Sequence, residues 1–289
     1  MAMALLSVHP AMHLPSAARL PTSAAIESGH EKLNQLQSHS YQPEVVSSGL
    51  THLWTTPIMR REIGLAREQL ELLEGAVLRR FRAFSASCDP SSIFEEGETV
   101  NDRFFDLQRG SSGQPSLLEE LEDDVAASSQ EVEAVRALRA ALRSASYEYV
   151  RKAAGATVAE AMFAAERGVT LSVWASVHEG DSQHVPHDHE NSAVSGVVYV
   201  ATPPNSGCIR FEDPRVARLF WSETPFSAEP LEIAPTAGEV LLFPPWLVHS
   251  VGSSEGASAP RVSISFNLAT HRTGSEDLTA LANSHYHLD

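Results

Sequence analysis

Apolar residues recur along this chain with two different periods, and the period changes near Gly168. Upstream, Ile63, Ala66, Leu70, Leu73, Val77, Phe81 and Phe84 are spaced three and four apart, which predicts a helix over about 59–84 with Arg60, Arg61, Glu68 and Glu71 on its other face. Val132, Val135, Leu138, Leu142, Ala145 and Tyr149 predict a second helix over about 129–153. Ser128 and Glu131 precede it at the spacing at which side chain and backbone satisfy each other's orphan groups. Thr157 and Glu160 repeat that spacing and predict a short third helix. Downstream, β-branched and aromatic runs at 169–178, 193–201, 207–212, 231–234, 239–243, 247–252 and 261–268 are separated by Gly, Pro and Asn. Many short strands with regular turns predict a sandwich or barrel. Pro244 and Pro245 fall between runs, where a missing N–H does least harm.

These patterns predict an α+β chain in which an N-terminal helical half supports a C-terminal β-structure. No Ser/Gly linker divides the halves, so they should form one integrated domain. The expected boundaries are a leader over 1–45, a helical support region over 46–167, a β-core over 168–270 and a tail over 271–289. The leader is rich in Ala and Ser, and its first acidic residue is Glu27. That texture suits an organelle transit peptide, plastid or mitochondrial, and equally a plain disordered terminus. Residues 89–133 hold 13 acidic residues against Arg103 and Arg109. This segment reads as mostly loop, a solvated face or a substrate-facing lid, with Ile93, Phe94, Phe104 and Phe105 as anchors.

Composition narrows the partners. Hydrophobic residues make up 43% of the 289, enough for a buried core. A net charge of -16 repels phosphate backbones and anionic lipid, which argues against nucleic-acid and membrane-surface roles. No apolar run approaches the ~20 residues of a membrane helix. Cys88 and Cys208 are too few for a disulfide framework or a cysteine zinc site, and fit a reducing intracellular compartment.

The densest cluster of ligand-type residues is His184-Val-Pro-His187-Asp188-His189-Glu190. If 187–189 is extended, His187 and His189 share one side and Asp188 takes the other. Two imidazoles so placed can bind one metal ion, although a lone pair of histidines is as often incidental. His249 follows a turn glycine, an apolar strand and a proline break in Gly238-Glu-Val-Leu-Leu-Phe-Pro-Pro-Trp-Leu-Val-His249. Two ligands at one strand edge and a third on a later strand would leave open positions for oxygen and substrate. Arg261 then heads the alternating strand Arg261-Val-Ser263-Ile-Ser265-Phe-Asn267. An arginine facing a barrel interior needs an anion, and its fork suits a carboxylate. That carboxylate is either a ligand's or an internal Asp or Glu. Trp174, Trp221 and Trp246 could wall a pocket, or simply pack.

The stretch from about 168 to 270 resembles the iron(II)/2-oxoglutarate oxygenase superfamily. The likeness is greatest to a subfamily in which His-x-His runs into a Ser-Gly-x-x-Tyr strand. Here those are His187-Asp-His189 and Ser195-Gly196-Val-Val-Tyr199. It continues through Phe211-Glu-Asp213-Pro214-Arg215, Phe243-Pro-Pro-Trp-Leu-Val-His249 and the strand from Arg261 to Asn267, and Leu53-Trp-Thr-Thr-Pro57 is similar to the opening of such proteins. The resemblance implies a double-stranded β-helix, a jelly roll of the cupin kind. It implies iron(II) at His187, His189 and His249, with no catalytic side chain beyond the metal centre. It also implies that Arg261, Ser263 and Tyr199 bind 2-oxoglutarate. The activity implied is a dioxygenase that hydroxylates a small-molecule or protein substrate and releases succinate and carbon dioxide. The superfamily's usual second ligand is a carboxylate, and this chain has His189, which leaves more positive charge on the metal. Two other readings stand beside it: a three-histidine cupin-type dioxygenase needing no 2-oxoglutarate, and a non-catalytic β-sandwich that binds carbohydrate or protein.

Overall fold

Strands rich in Val and Ile assemble into two antiparallel sheets in the computed structural model, which describes residues 55–88, 104, 117–124, 126–164, 169–215 and 229–270. The larger sheet holds β1 (Met59–Glu62), β7 (Glu239–Phe243), β4 (Val194–Ala201), β9 (Arg261–Thr270) and β2 (Val169–His178), in that order. The smaller holds β3 (His184–His187), β8 (His249–Val251), β5 (Ile209–Phe211) and β6 (Leu231–Ile233). Together they make the double-stranded β-helix. Among the described residues four helices accompany them: α1 (Arg67–Ser87), α2 (Leu117–Glu122), α3 (Ser129–Ala154) and α4 (Ala156–Ala164).

The period of two along each strand sorts side chains into two layers. Val173, Ala175, Val177, Val198, Val240, Leu242, Ile264 and Phe266 turn toward the helices and form one core with Leu73, Val77, Leu138 and Leu142. Each of these fully buried side chains larger than Ala175 contributes roughly 1.5–3 kcal/mol by leaving water. A smaller core between the sheets holds Val197, Ile209, Phe211, Leu241, Phe243 and Leu247. At Gly196 the two strands beside β4 come so close that an added Cβ would lie 2.4 Å from the Phe266 ring and 2.7 Å from the Leu241 carbonyl oxygen. Only glycine fits there.

Register places the inward polar residues of β2, β9 and β4 in rows. His178 pairs with Arg261, Ser176 with Ser263, and Trp174 with Ser265 across β2 and β9. On the other side of β9, Tyr199 pairs with Ser263 and Ser195 with Asn267. A polar stripe thus runs along the inner face of an otherwise apolar sheet.

The α+β organisation agrees with the expectation from sequence, and some element bounds are corrected. The helix expected over 59–84 is a strand followed by a helix. Met59–Glu62 adds an edge to the large sheet by pairing with β7, and Gly64, at φ +85°, turns the chain before α1. The apolar spacing there served two elements. Residues 117–122, expected as loop, form a helix because Leu117, Leu118 and Leu121 are all buried against the core. The Ser128–Glu131 box caps α3 as expected, with Ser128 N–H donating to Glu131 Oε2 at 2.8 Å and Glu131 N–H to Ser128 Oγ at 3.2 Å. The Thr157–Glu160 pair caps nothing, since α4 already starts at Ala156 behind Gly155. Phe104 is the anchor the sequence suggested, stacked edge-on at 5.3 Å from Phe81. The leader over 1–45, the tail over 271–289, Trp221, Leu53 and most of the acidic segment lie outside the described residues.

Candidate metal centre and its cavity

Three histidines meet where the two strand ends of the small sheet come together. His187 closes β3, His249 opens β8, and the two are cross-strand partners. The pairing slips between His184 and His187, and β3 ends there. His189 therefore does not sit on a regular strand, as the alternation argument assumed. Its backbone N–H donates to Pro245 O at 2.9 Å, so the turn after β3 is fastened to the proline turn that precedes β8. Pro244 and Pro245, read from sequence as a break, thus supply a carbonyl that sets the second histidine. One ligand atom from each of His187, His189 and His249 lies within 4.8 Å of the others. Asp188 is exposed and outside this cluster.

The donor set fits a divalent transition metal. Nδ1 of His187 donates to Val185 O at 2.8 Å and Nδ1 of His249 to Leu247 O at 2.9 Å. Each bond fixes the tautomer and leaves Nε2 with its lone pair for a metal. Phe243 packs on the His249 ring at 4.7 Å and Trp174 on His189 at 5.8 Å, which restrains both imidazoles. Asn267 stands beside Nδ1 of His189 at 3.5 Å while its other carboxamide atom accepts from Ser195 Oγ at 2.7 Å. A hydroxyl can donate or accept, so Ser195 supports either face of that carboxamide. We expect Asn267→Ala to lower metal affinity about 10–100-fold, the usual effect of losing an outer partner of a metal-ligating histidine. Titration with zinc(II) measures it; unchanged affinity would mean that Asn267 serves only Ser195.

The cluster lines a cavity together with Arg261, Ser263 and Trp174. Arg261 is 1% exposed, yet no carboxylate among the described residues pairs with it. NH1 donates to Nδ1 of His178 at 2.6 Å and to Ser263 Oγ at 3.3 Å, and Nε has no partner. The Tyr199 ring lies against the guanidinium at 5.3 Å. Burial pushes the Tyr199 hydroxyl up to about 12 despite the nearby guanidinium, so it stays protonated. Tyr199 flanks Arg261 and is not itself a lining residue. A buried, unneutralised guanidinium with a spare donor is what an incoming carboxylate requires.

Sequence reasoning singled out the three histidines, Arg261, Ser263 and Tyr199, and the fold brings all six into one region. It passed over His178, Ser176 and the roles of Ser195 and Asn267. The signal was present, because Trp174, Ser176 and His178 are alternate residues of one strand and share the inner face. Trp246 is exposed.

Residues 172–267 match the family described as "Putative 2OG-Fe(II) oxygenase". No curated protein matches the chain in sequence. Among solved structures, a Pseudomonas putida prolyl-4-hydroxylase is similar at 11% identity and TM-score 0.39, over 75% of this chain and 90% of that one. A Trichoplax adhaerens prolyl hydroxylase, in complex with a hypoxia-inducible-factor degradation-domain peptide, is similar at 13% identity and TM-score 0.45, over 88% and 96%. The α-ketoglutarate-dependent epimerase SnoN of nogalamycin biosynthesis gives 15% identity and TM-score 0.43, over 76% and 83%.

Proposed function

We propose that this chain, whose residues 172–267 match the 2OG-Fe(II) oxygenase family model, is a hydroxylase whose iron(II) is held by His187, His189 and His249 and whose 2-oxoglutarate is anchored at Arg261. The observation that carries the reading is Arg261 itself, a buried cation without a carboxylate in the cavity that the three histidines line. Iron with 2-oxoglutarate supplies the oxidising power: 2-oxoglutarate, dioxygen and a substrate C–H give succinate, carbon dioxide and the hydroxylated product. The chain's residues bind and orient. Arg261 grips the distal carboxylate, Ser263 adds a hydroxyl, and Tyr199 supports the guanidinium face. Phe243 and Trp174 keep the imidazoles in place and water out of the cavity wall. The substrate is a small molecule or a protein side chain.

The test is release of succinate from 2-oxoglutarate by the purified full-length protein. We expect release that requires both iron(II) and oxygen and is lost on chelation. A protein that binds iron at the three histidines but leaves 2-oxoglutarate intact would instead be a three-histidine dioxygenase without this cosubstrate. One without metal affinity would be a binding module.

A further inference from the structure

Arg261 faces a problem that its neighbours solve in an unusual way. A buried arginine must be held at one end to be useful at the other, and the common holder is an Asp or Glu. Here the holder is His178, the residue opposite Arg261 across β2 and β9. Its Nδ1 accepts a hydrogen bond from NH1 at 2.6 Å. A guanidinium has only donors, so the Nδ1 beside it must be the bare, accepting nitrogen. The imidazole is therefore neutral, with its proton on Nε2. A second positive charge there would be buried against the first. Burial and the adjacent guanidinium accordingly hold His178 well below the usual histidine range. The His184 ring packs edge-on at 4.6 Å and keeps the imidazole from turning away.

We propose that His178 is the positioning residue of the cosubstrate site, a neutral acceptor that fixes Arg261 while leaving its full positive charge for the carboxylate of 2-oxoglutarate. The inference rests on the reading of Arg261 given above. A carboxylate at position 178 would hold the guanidinium as firmly, but it would neutralise it and compete with the ligand for the same donors. Neutrality at 178 is thus a requirement of binding, whereas Ser263, at 3.3 Å from NH1, adds only a weaker second contact.

Asparagine and aspartate are nearly the same shape and differ in charge, and either places an oxygen near the position of Nδ1. The experiment measures the affinity of the full-length, zinc(II)-loaded protein for 2-oxoglutarate by calorimetry, without turnover. His178→Asn should bind within about threefold of the parent, since it restores the neutral acceptor. His178→Ala should lose about tenfold, as for one hydrogen bond to a charged group. His178→Asp should lose on the order of a hundredfold or more, through an internal ion pair with Arg261. 2-Oxobutyrate, which lacks the distal carboxylate, should bind all four proteins alike. If His178→Asp binds 2-oxoglutarate as well as His178→Asn, the proposal is overturned. Equal weakening of 2-oxobutyrate would also overturn it, by showing a general disturbance of the site. Arg261→Ala, run alongside, separates the two claims: if it binds 2-oxoglutarate as the parent does, the anchor itself is misassigned. If only Arg261→Ala fails to bind while every 178 variant binds normally, the anchor stands and the role of His178 falls.

Discussion

His187→Ala and His249→Ala should each lose iron(II), with affinity falling by more than about a hundredfold, beyond what the loss of an outer partner alone produces. Each histidine supplies one of three clustered ligand atoms, and no fourth Asp, Glu, His or Cys joins the cluster among the described residues. Two imidazoles cannot make a facial site. The fold should survive, because the cluster lies at strand ends and none of its members belongs to either apolar core. His249 packs against Phe243, so its truncation will cost more stability than that of the half-buried His187. A thermal melt reads both effects at once. Metal at a hundred times its Kd stabilises the parent by about 2.7 kcal/mol. For a domain of this size that is a rise in Tm of roughly 5–11 °C. Neither variant should show that rise, and both should keep the parent's far-ultraviolet circular dichroism. A full rise in either would remove that histidine from the ligand set.

Much of this site was legible in the sequence because period-two strands print their faces directly. Arg261, Ser263, Ser265 and Asn267 alternate with Val262, Ile264, Phe266 and Leu268, and the structure turns the first set inward and the second onto the helices. His249 was legible as the residue that starts a new strand after a proline break. What could not be read were the links between distant segments. Nothing local says that His189 N–H meets Pro245 O, and it is this bond, not strand alternation, that holds His189 in the turn after β3 ends. Asn267 acquires meaning only once register sets it opposite Ser195 and beside His189. His178 is the last residue of its strand, and only cross-strand pairing puts it against Arg261. The misread N-terminal strand has a related cause. Four residues of edge strand followed by a helix can carry apolar side chains at helical spacing throughout, and only the partner strand β7 distinguishes the two.

Arg261→Ala should abolish tight binding of 2-oxoglutarate while sparing the metal. A charge-assisted contact to a partner that remains buried is worth about 2–5 kcal/mol, roughly thirty- to several-thousand-fold in affinity. Arg261→Lys should recover only part, because an ammonium keeps the charge and loses the planar fork that allows a two-point grip. It would also sit less well against the Tyr199 ring, which now faces the guanidinium at 5.3 Å. Ser263→Ala should cost least, about 0.5–2 kcal/mol for one hydroxyl bond. The same substitutions predict an opposite pattern in the ligand-free protein. If Arg261 belonged to an internal salt bridge, its removal would strand a buried carboxylate and destabilise the fold by about 3–5 kcal/mol. Among the described residues its partners are His178, Ser263 and the Tyr199 ring, none of them a carboxylate. Loss of packing is then offset by relief of an unneutralised buried charge, and the melting temperature without ligand should change little. Large loss of 2-oxoglutarate affinity with an unchanged melting point and unchanged zinc(II) binding therefore identifies Arg261 as a residue kept for the ligand. A severe loss of stability with normal 2-oxoglutarate binding would assign it to the fold.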